Sequence, residues 1–286
     1  MLAIVLPPCP ARPMILPPAC PPRPAAAVAS PGHRLATWLA SSGLILAAYV
    51  ACDLLHEGAH LAAARWLPLG VRTVMISTVA TSSFGSSRLV AAAGPAFNLL
   101  LGAFLAAARW RRPGPGVRVF CWLFGTLNLF GATAYLAWSG LTGTGDGAVA
   151  LSALPAGLWR PLAVGGGAAA YFGAVRLAAR QLQALEGAAV IAPARARWLC
   201  TRAYWGGGAL LVLAAAFNPI SPWLVLTSGA TTGFGSMLGL VWIARRGPAP
   251  GAGTAADAFR PGAGWAALGW SSAWVFVFVF GPGVFL

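Results

Sequence analysis

The chain has 286 residues, 58% hydrophobic and only 8% charged, with a mean hydropathy of +0.75. A soluble domain of this length carries about a quarter charged residues, so a large soluble domain is excluded and an all-α polytopic membrane protein is expected. The net charge of +14 comes from 19 basic residues, all arginine, which fall mostly between apolar segments. No basic stripe interleaved with aromatics lies on a polar segment, which excludes nucleic-acid binding.

Residues 1–34 are proline-rich, and their apolar runs are too short and too broken for the core of a signal peptide. They are expected to be a disordered lead, with Met14 as a second possible start. A first membrane span is expected over 35–67. Residues 69–87, rich in β-branched residues and ending in Gly and Ser, read as a short strand or hairpin. A second span follows over 89–110, closed by RWRRPGPG, and a third over 117–138. The stretch SGLTGTGDG then breaks the apolar pattern.

Residues 158–185 make a weaker span, since they hold a GGG run together with Arg176 and Arg180. Two more are expected over 203–217 and 223–243. Residues 246–263 read as a Pro/Gly/Ala linker, and 264–286 as a final aromatic hydrophobic segment. The whole is six to seven transmembrane helices, organised as a core over 35–155 and additional helices over 156–245. The five cysteines are scattered, without a CxxC pair, and read as structural thiols.

Ionisable groups are scarce, so their placement is informative. The acids are Asp53, Glu57, Asp146, Glu186 and Asp257, and the histidines are His33, His56 and His60. Two histidines and one acid fall within HEGAH, residues 56–60, deep in the first span. Ionisable residues at membrane depth mark functional sites. At i and i+4 the two imidazoles share one helix face and can hold one metal ion. Glu57, one residue on, points to the flank, where it can act as a general base. The plainer reading of the pair is two packing histidines with satisfied rings.

A catalytic zinc needs three protein ligands and an open position. Asp146 and Glu186 are the candidates for the third. The end of the first span, the start of the second and the end of the third share one side of the membrane. That topology brings Asp146 near HEGAH and sends Glu186 towards the opposite face. Asp146 reads otherwise as an Asx-turn residue. Asp53 lies on the histidine face, either bonding an imidazole or simply exposed at the helix surface. Asn98, a turn after Gly94-Pro95, can serve a substrate carbonyl or a neighbouring helix.

Taken together, HExxH (His56, Glu57, His60), GPxxN (Gly94, Pro95, Asn98) and Asp146-Gly147, separated by a strand-like segment, resemble the site-2 protease family of intramembrane zinc metalloproteases. The resemblance covers about residues 35–155. It implies one Zn2+ per chain held by His56, His60 and Asp146, Glu57 as general base, and Asn98 positioning substrate or stabilising the tetrahedral intermediate. It also implies a transmembrane protein substrate and a multi-pass protein of a bacterial cell membrane. The strand-like residues 69–87 can then pair with unwound substrate.

Two departures are visible. The Asn and Pro that often precede the family's Asp-Gly are missing here, and the arginines are unevenly placed. Arg65, Arg72, Arg88 and Arg160 flank the site side, whereas thirteen flank the other side. The positive-inside rule therefore turns the site outward, against the family's habit. The alternatives are a non-enzymatic membrane protein with a degenerate metal site, or a CAAX-type membrane zinc protease using Glu186 as ligand. Nothing in the sequence specifies an oligomer.

Overall fold

The computed structural model describes residues 31–68, 70–108, 113–247 and 258–286. The first thirty residues, most of the linker and Asp257 lie outside these. Among the described residues, six helices are long and apolar enough to cross a membrane: Arg34–Trp66, Arg88–Ala107, Pro115–Thr142, Ala156–Gly187, Pro193–Ala216 and Ala263–Phe280. The protein is an all-α membrane protein with one small sheet.

Helix α1 (Pro31–Trp66) is rich in Ala and Leu, which favour helix, and stops just before Pro68. Strands β1 (Arg72–Ser77) and β2 (Ala80–Phe84) follow as an antiparallel hairpin, Ser77 facing Ala80 across a tight turn. Helix α2 (Arg88–Ala107) is capped by Ser87, whose hydroxyl accepts the Leu89 N–H. Its buried residues are Val90, Gly94, Asn98 and Gly102, four apart, so one face turns inward. Leu100 and Phe104 on the other face are exposed, as lipid contact requires.

Helix α3 (Pro115–Thr142) begins with proline and ends in a left-handed Gly143, whose N–H returns to the Ser139 carbonyl. It is the central helix, with Leu123, Leu127 and Phe130 fully enclosed. The break expected after it holds a six-residue helix, α4 (Gly145–Ala150), with Asp146 in its first turn. Helix α5 (Ala156–Gly187) is a full-length helix, not the weak span expected. Its Gly167 seats directly on the backbone of Ala137 in α3, and Arg176 lies over the Phe172 ring. Glycine there is what allows the close helix contact.

The expected span over 203–217 starts earlier. Helix α6 (Pro193–Arg202) runs through a π-turn into α7 (Gly208–Ala216). The expected span over 223–243 is divided, with a π-helical stretch, Val225–Gly235, followed by α8 (Leu238–Arg245). Helix α9 (Ala263–Val275) crosses α1 where Gly43 and Gly269 bring the two backbones together. Strand β3 (Val284–Phe285), which the sequence does not announce, pairs antiparallel with β1 at Met75 and Ile76. The sheet order is β2-β1-β3, so β2 and the two-residue β3 are its edge strands among the described residues, and β2 has the longer unpaired edge.

Glu186 belongs to the scaffold. It is buried at the end of α5 with its carboxylate 2.7 and 3.3 Å from the guanidinium nitrogens of Arg246, beyond α8. Removing one partner of such a pair strands the other charge. Glu186→Ala is expected to destabilise the protein by about 3–5 kcal/mol, read as a lowered unfolding temperature in detergent, with its metal content unchanged. Lost metal with unchanged stability would count against this assignment.

Candidate metal centre

Helix α1 carries His56 and His60 one turn apart on the face turned to α2 and α4. Gly94 of α2 lies against both rings: a Cβ there would meet the two Nε2 atoms. Glycine is needed at this position because α2 must approach the imidazoles this closely. Pro95, next in α2, lacks the N–H that would have bonded the Ala91 carbonyl. One turn earlier, the Val90 carbonyl accepts the Nδ1–H of His60 at 2.7 Å. That bond fixes the His60 tautomer and leaves Nε2 as the electron-pair donor.

The third group arrives from α4. Gly145 has φ +78, and a side chain on it would collide with the Tyr135 hydroxyl. Glycine is therefore required twice over, for the left-handed turn and for the contact. The turn delivers Asp146 to the histidines. Arg160 on α5 steadies the preceding helix end, donating from Nε to the Gly140 carbonyl at 2.9 Å and from its terminal nitrogen to Leu141 at 2.6 Å.

The three facing atoms form a nearly equilateral triangle. His56 Nε2 to His60 Nε2 is 3.2 Å, His56 Nε2 to Asp146 Oδ2 is 3.3 Å, and His60 Nε2 to the same oxygen is 3.4 Å. Tetrahedral zinc, with bonds of about 2.0–2.1 Å, sets neighbouring ligand atoms roughly 3.3–3.4 Å apart. The donor set, two imidazoles and a carboxylate, is one zinc accepts. Among the described residues this is the one cluster of His, Cys, Asp and Glu able to hold a metal ion. Burial works against charge on Asp146, but the His56 and His60 rings facing it outweigh that and hold the carboxyl well below the usual range.

Glu57 stands beside the triangle, only 5% exposed, and accepts the hydroxyl of Thr81 at 2.5 Å. Strand β2 thus reaches the acid directly. Asp53 does not serve an imidazole. Its Oδ2 accepts the Val79 N–H at 3.3 Å, at the hairpin tip where Val79 takes a left-handed φ of +57. Asn218 grips the same tip from beyond α7, donating to Ser77 Oγ at 2.8 Å and to the Thr78 carbonyl at 3.1 Å. Two elements therefore hold a turn conformation that valine resists.

A groove of about 460 Å³ opens in front of the cluster, bounded by β2, α4 and Trp138, with Glu57, His60 and Asp146 on its wall. Behind the cluster lies a smaller chamber of about 70 Å³ that reaches Asn98 and Tyr49. Asn98 is buried and lines this chamber; it is not a ligand. Glu186 is remote from the cluster, so the alternative with Glu186 as third ligand does not describe this fold.

Sequence reasoning missed Thr81, Tyr135, Arg160 and the Val90 carbonyl. None has a sequence signal of its own; each matters only through what folding sets beside it. The fold and site together define a membrane protein with a candidate three-ligand metal centre facing a groove. No protein-family model matches this chain, and comparison with curated proteins and with solved structures finds no match.

Proposed function

We propose that this protein is a zinc-dependent intramembrane endopeptidase, resembling the site-2 proteases, that hydrolyses peptide bonds in or near transmembrane segments of other membrane proteins. The observation that carries the reading is the triangle of His56, His60 and Asp146 donor atoms at zinc spacing, with a buried glutamate at its flank. A purely structural metal site has no use for that glutamate.

When bound, zinc supplies a Lewis acid and a water of lowered pKa. The chain's own residues do the rest. Val90 keeps the His60 ring oriented, and Gly94 lets α2 close over both ligands. The Glu57 carboxylate takes the proton of the hydrolytic water and returns it to the nitrogen of the leaving amine. Thr81, bonded to Glu57, ties the base to strand β2, along whose free edge an unwound substrate adds as a further strand. Asn98, which the resemblance makes a substrate-positioning residue, lines the chamber behind the cluster.

The test is cleavage of a transmembrane peptide by protein reconstituted in lipid, before and after stripping metal with a chelator. Activity that vanishes with the metal and returns with zinc supports the reading; cleavage indifferent to the chelator ends it. The irregular approach to Asp146, without the family's Asn and Pro, favours a second reading: a membrane protein that binds metal without catalysis. Zinc bound with no hydrolysis of any peptide would favour that one.

The protein is proposed to be a multi-pass protein of a bacterial cell membrane, with the metal centre on the outward side. Alternate crossings put the hairpin, the start of α5 and β3 at one end, and the β1–β3 pairing is consistent with that parity. Among the described residues this end has Arg65, Arg72, Arg88 and Arg160, whereas the other has Arg34, Arg118, Arg195, Arg197, Arg202, Arg245, Arg246 and Arg260. A cysteine at exposed Ser86 is expected to react with a membrane-impermeant maleimide on intact cells. One at Gly114 is expected to react only after permeabilisation, both relative to the unsubstituted chain. The reverse pattern would place the site inside.

A further inference from the structure

The chamber behind the metal cluster is a site in its own right. It joins the outer groove at Glu57, Val79, Tyr135, Asp146 and Ser228, which border both. Leu127, Leu211 and Met237 supply apolar wall. Its volume, about 70 Å³, is that of roughly two or three waters, so it takes a side chain of two or three heavy atoms and excludes an aromatic ring.

Two polar atoms on residues that line this chamber have no hydrogen-bond partner among the described residues. The Tyr49 hydroxyl and the Asn98 carbonyl oxygen are both buried and unbonded, on residues 2% and 5% exposed. Both residues line the chamber. A buried hydroxyl left unbonded is unfavourable, and Phe at position 49 would fill the same space without that cost. One atom can donate and accept, the other accepts. Together they match a hydroxyl, which satisfies both at once.

We propose that the chamber is the subsite for one substrate side chain beside the scissile bond, and that it selects a small hydroxyl residue: serine or threonine. This rests on the endopeptidase reading. A substrate lying along β2 with its scissile carbonyl at the cluster directs one side chain past Glu57 and His56 into the chamber. A hydroxyl there replaces the hydrogen bonds of the water it displaces, whereas a methyl of the same shape does not.

The test measures binding, so it does not depend on turnover. Zinc-loaded Glu57→Gln protein in nanodiscs is titrated with fluorescent Ala/Leu transmembrane peptides in which one residue at a time is Val, Thr or Phe. At one position the Thr peptide is expected to bind about tenfold more tightly than its Val isostere, with the Phe peptide weakest. Adding Tyr49→Phe is expected to erase the preference of Thr over Val while leaving the unfolding temperature unchanged or higher.

Gly131→Ala gives a second variant. A Cβ there lies 3.7 Å from Asn98 Nδ2, an ordinary contact, so it narrows the chamber without disturbing the fold. It is expected to weaken the Thr peptide more than an all-Ala peptide. Equal binding of Thr and Val at every position, or a preference that survives Tyr49→Phe, overturns the proposal; the chamber then holds only water. Cleavage by the wild type without this preference leaves the endopeptidase reading standing and removes the subsite. The preference without any cleavage does the opposite.

Discussion

Asp146→Ala is expected to reduce zinc in protein purified in detergent from about one ion per chain to a small fraction of that, measured by elemental analysis. His56 and His60 sit one turn apart on one helix and hold an ion from one side only. Asp146 is the proposed third ligand that would close the site, with its Oδ2 3.3 and 3.4 Å from the two Nε2 atoms. Loss of a partner outside the coordination sphere already lowers affinity about 10–100-fold, so loss of a ligand is expected to exceed that. Asp146 also carries the negative charge that offsets part of the ion's charge in a buried place. The mutation leaves the Gly145 turn and the packing of α4 intact, so unfolding is not the expected cause. Zinc undiminished in this variant would remove Asp146 from the site, and the endopeptidase reading would lose its main support.

Glu57→Gln is expected to keep zinc and lose hydrolysis by roughly 10²–10⁴-fold, the range general acid–base catalysis contributes. The substitution keeps size and still offers an oxygen to the Thr81 hydroxyl, so the hairpin stays docked on α1. What it removes is the ability to accept a proton from water and release it to the leaving amine. Thr81→Val makes the contrast: it frees Glu57 from its partner and is expected to lower activity by about tenfold, with zinc unchanged. Full activity in Glu57→Gln would mean that the acid beside the histidines is structural.

HEGAH was legible because of its setting. In a chain with three histidines and five acids, a clustering of three such residues inside an apolar helix stands out. The hairpin over 69–87 was legible from its β-branched run, and the main helices from hydropathy over spans of membrane length. The third ligand was only partly legible. Topology favoured Asp146 over Glu186, but the surrounding TGTGDG has no periodicity, and its short helix packs against Tyr135 and Ser139. Asp53 misled for a related reason. Helical periodicity correctly set it on the histidine face, yet periodicity carries no information about the hairpin tip whose Val79 N–H it accepts.

The sequence by itself determined the class of protein, the number and rough limits of the membrane helices, and the pair of histidines with the acid between them. Those follow from transfer of apolar side chains into lipid and from the 3.6-residue helical period, both of which act locally along the chain. Only the tertiary structure decided which carboxylate joins the histidines, that Glu186 pairs with Arg246, that β3 closes one edge of the hairpin, and that Tyr49 and Asn98, each with an unbonded polar atom, line a small chamber. Each of these depends on which distant segments meet, and that is set by helix packing across three dimensions, which no run of neighbouring residues encodes.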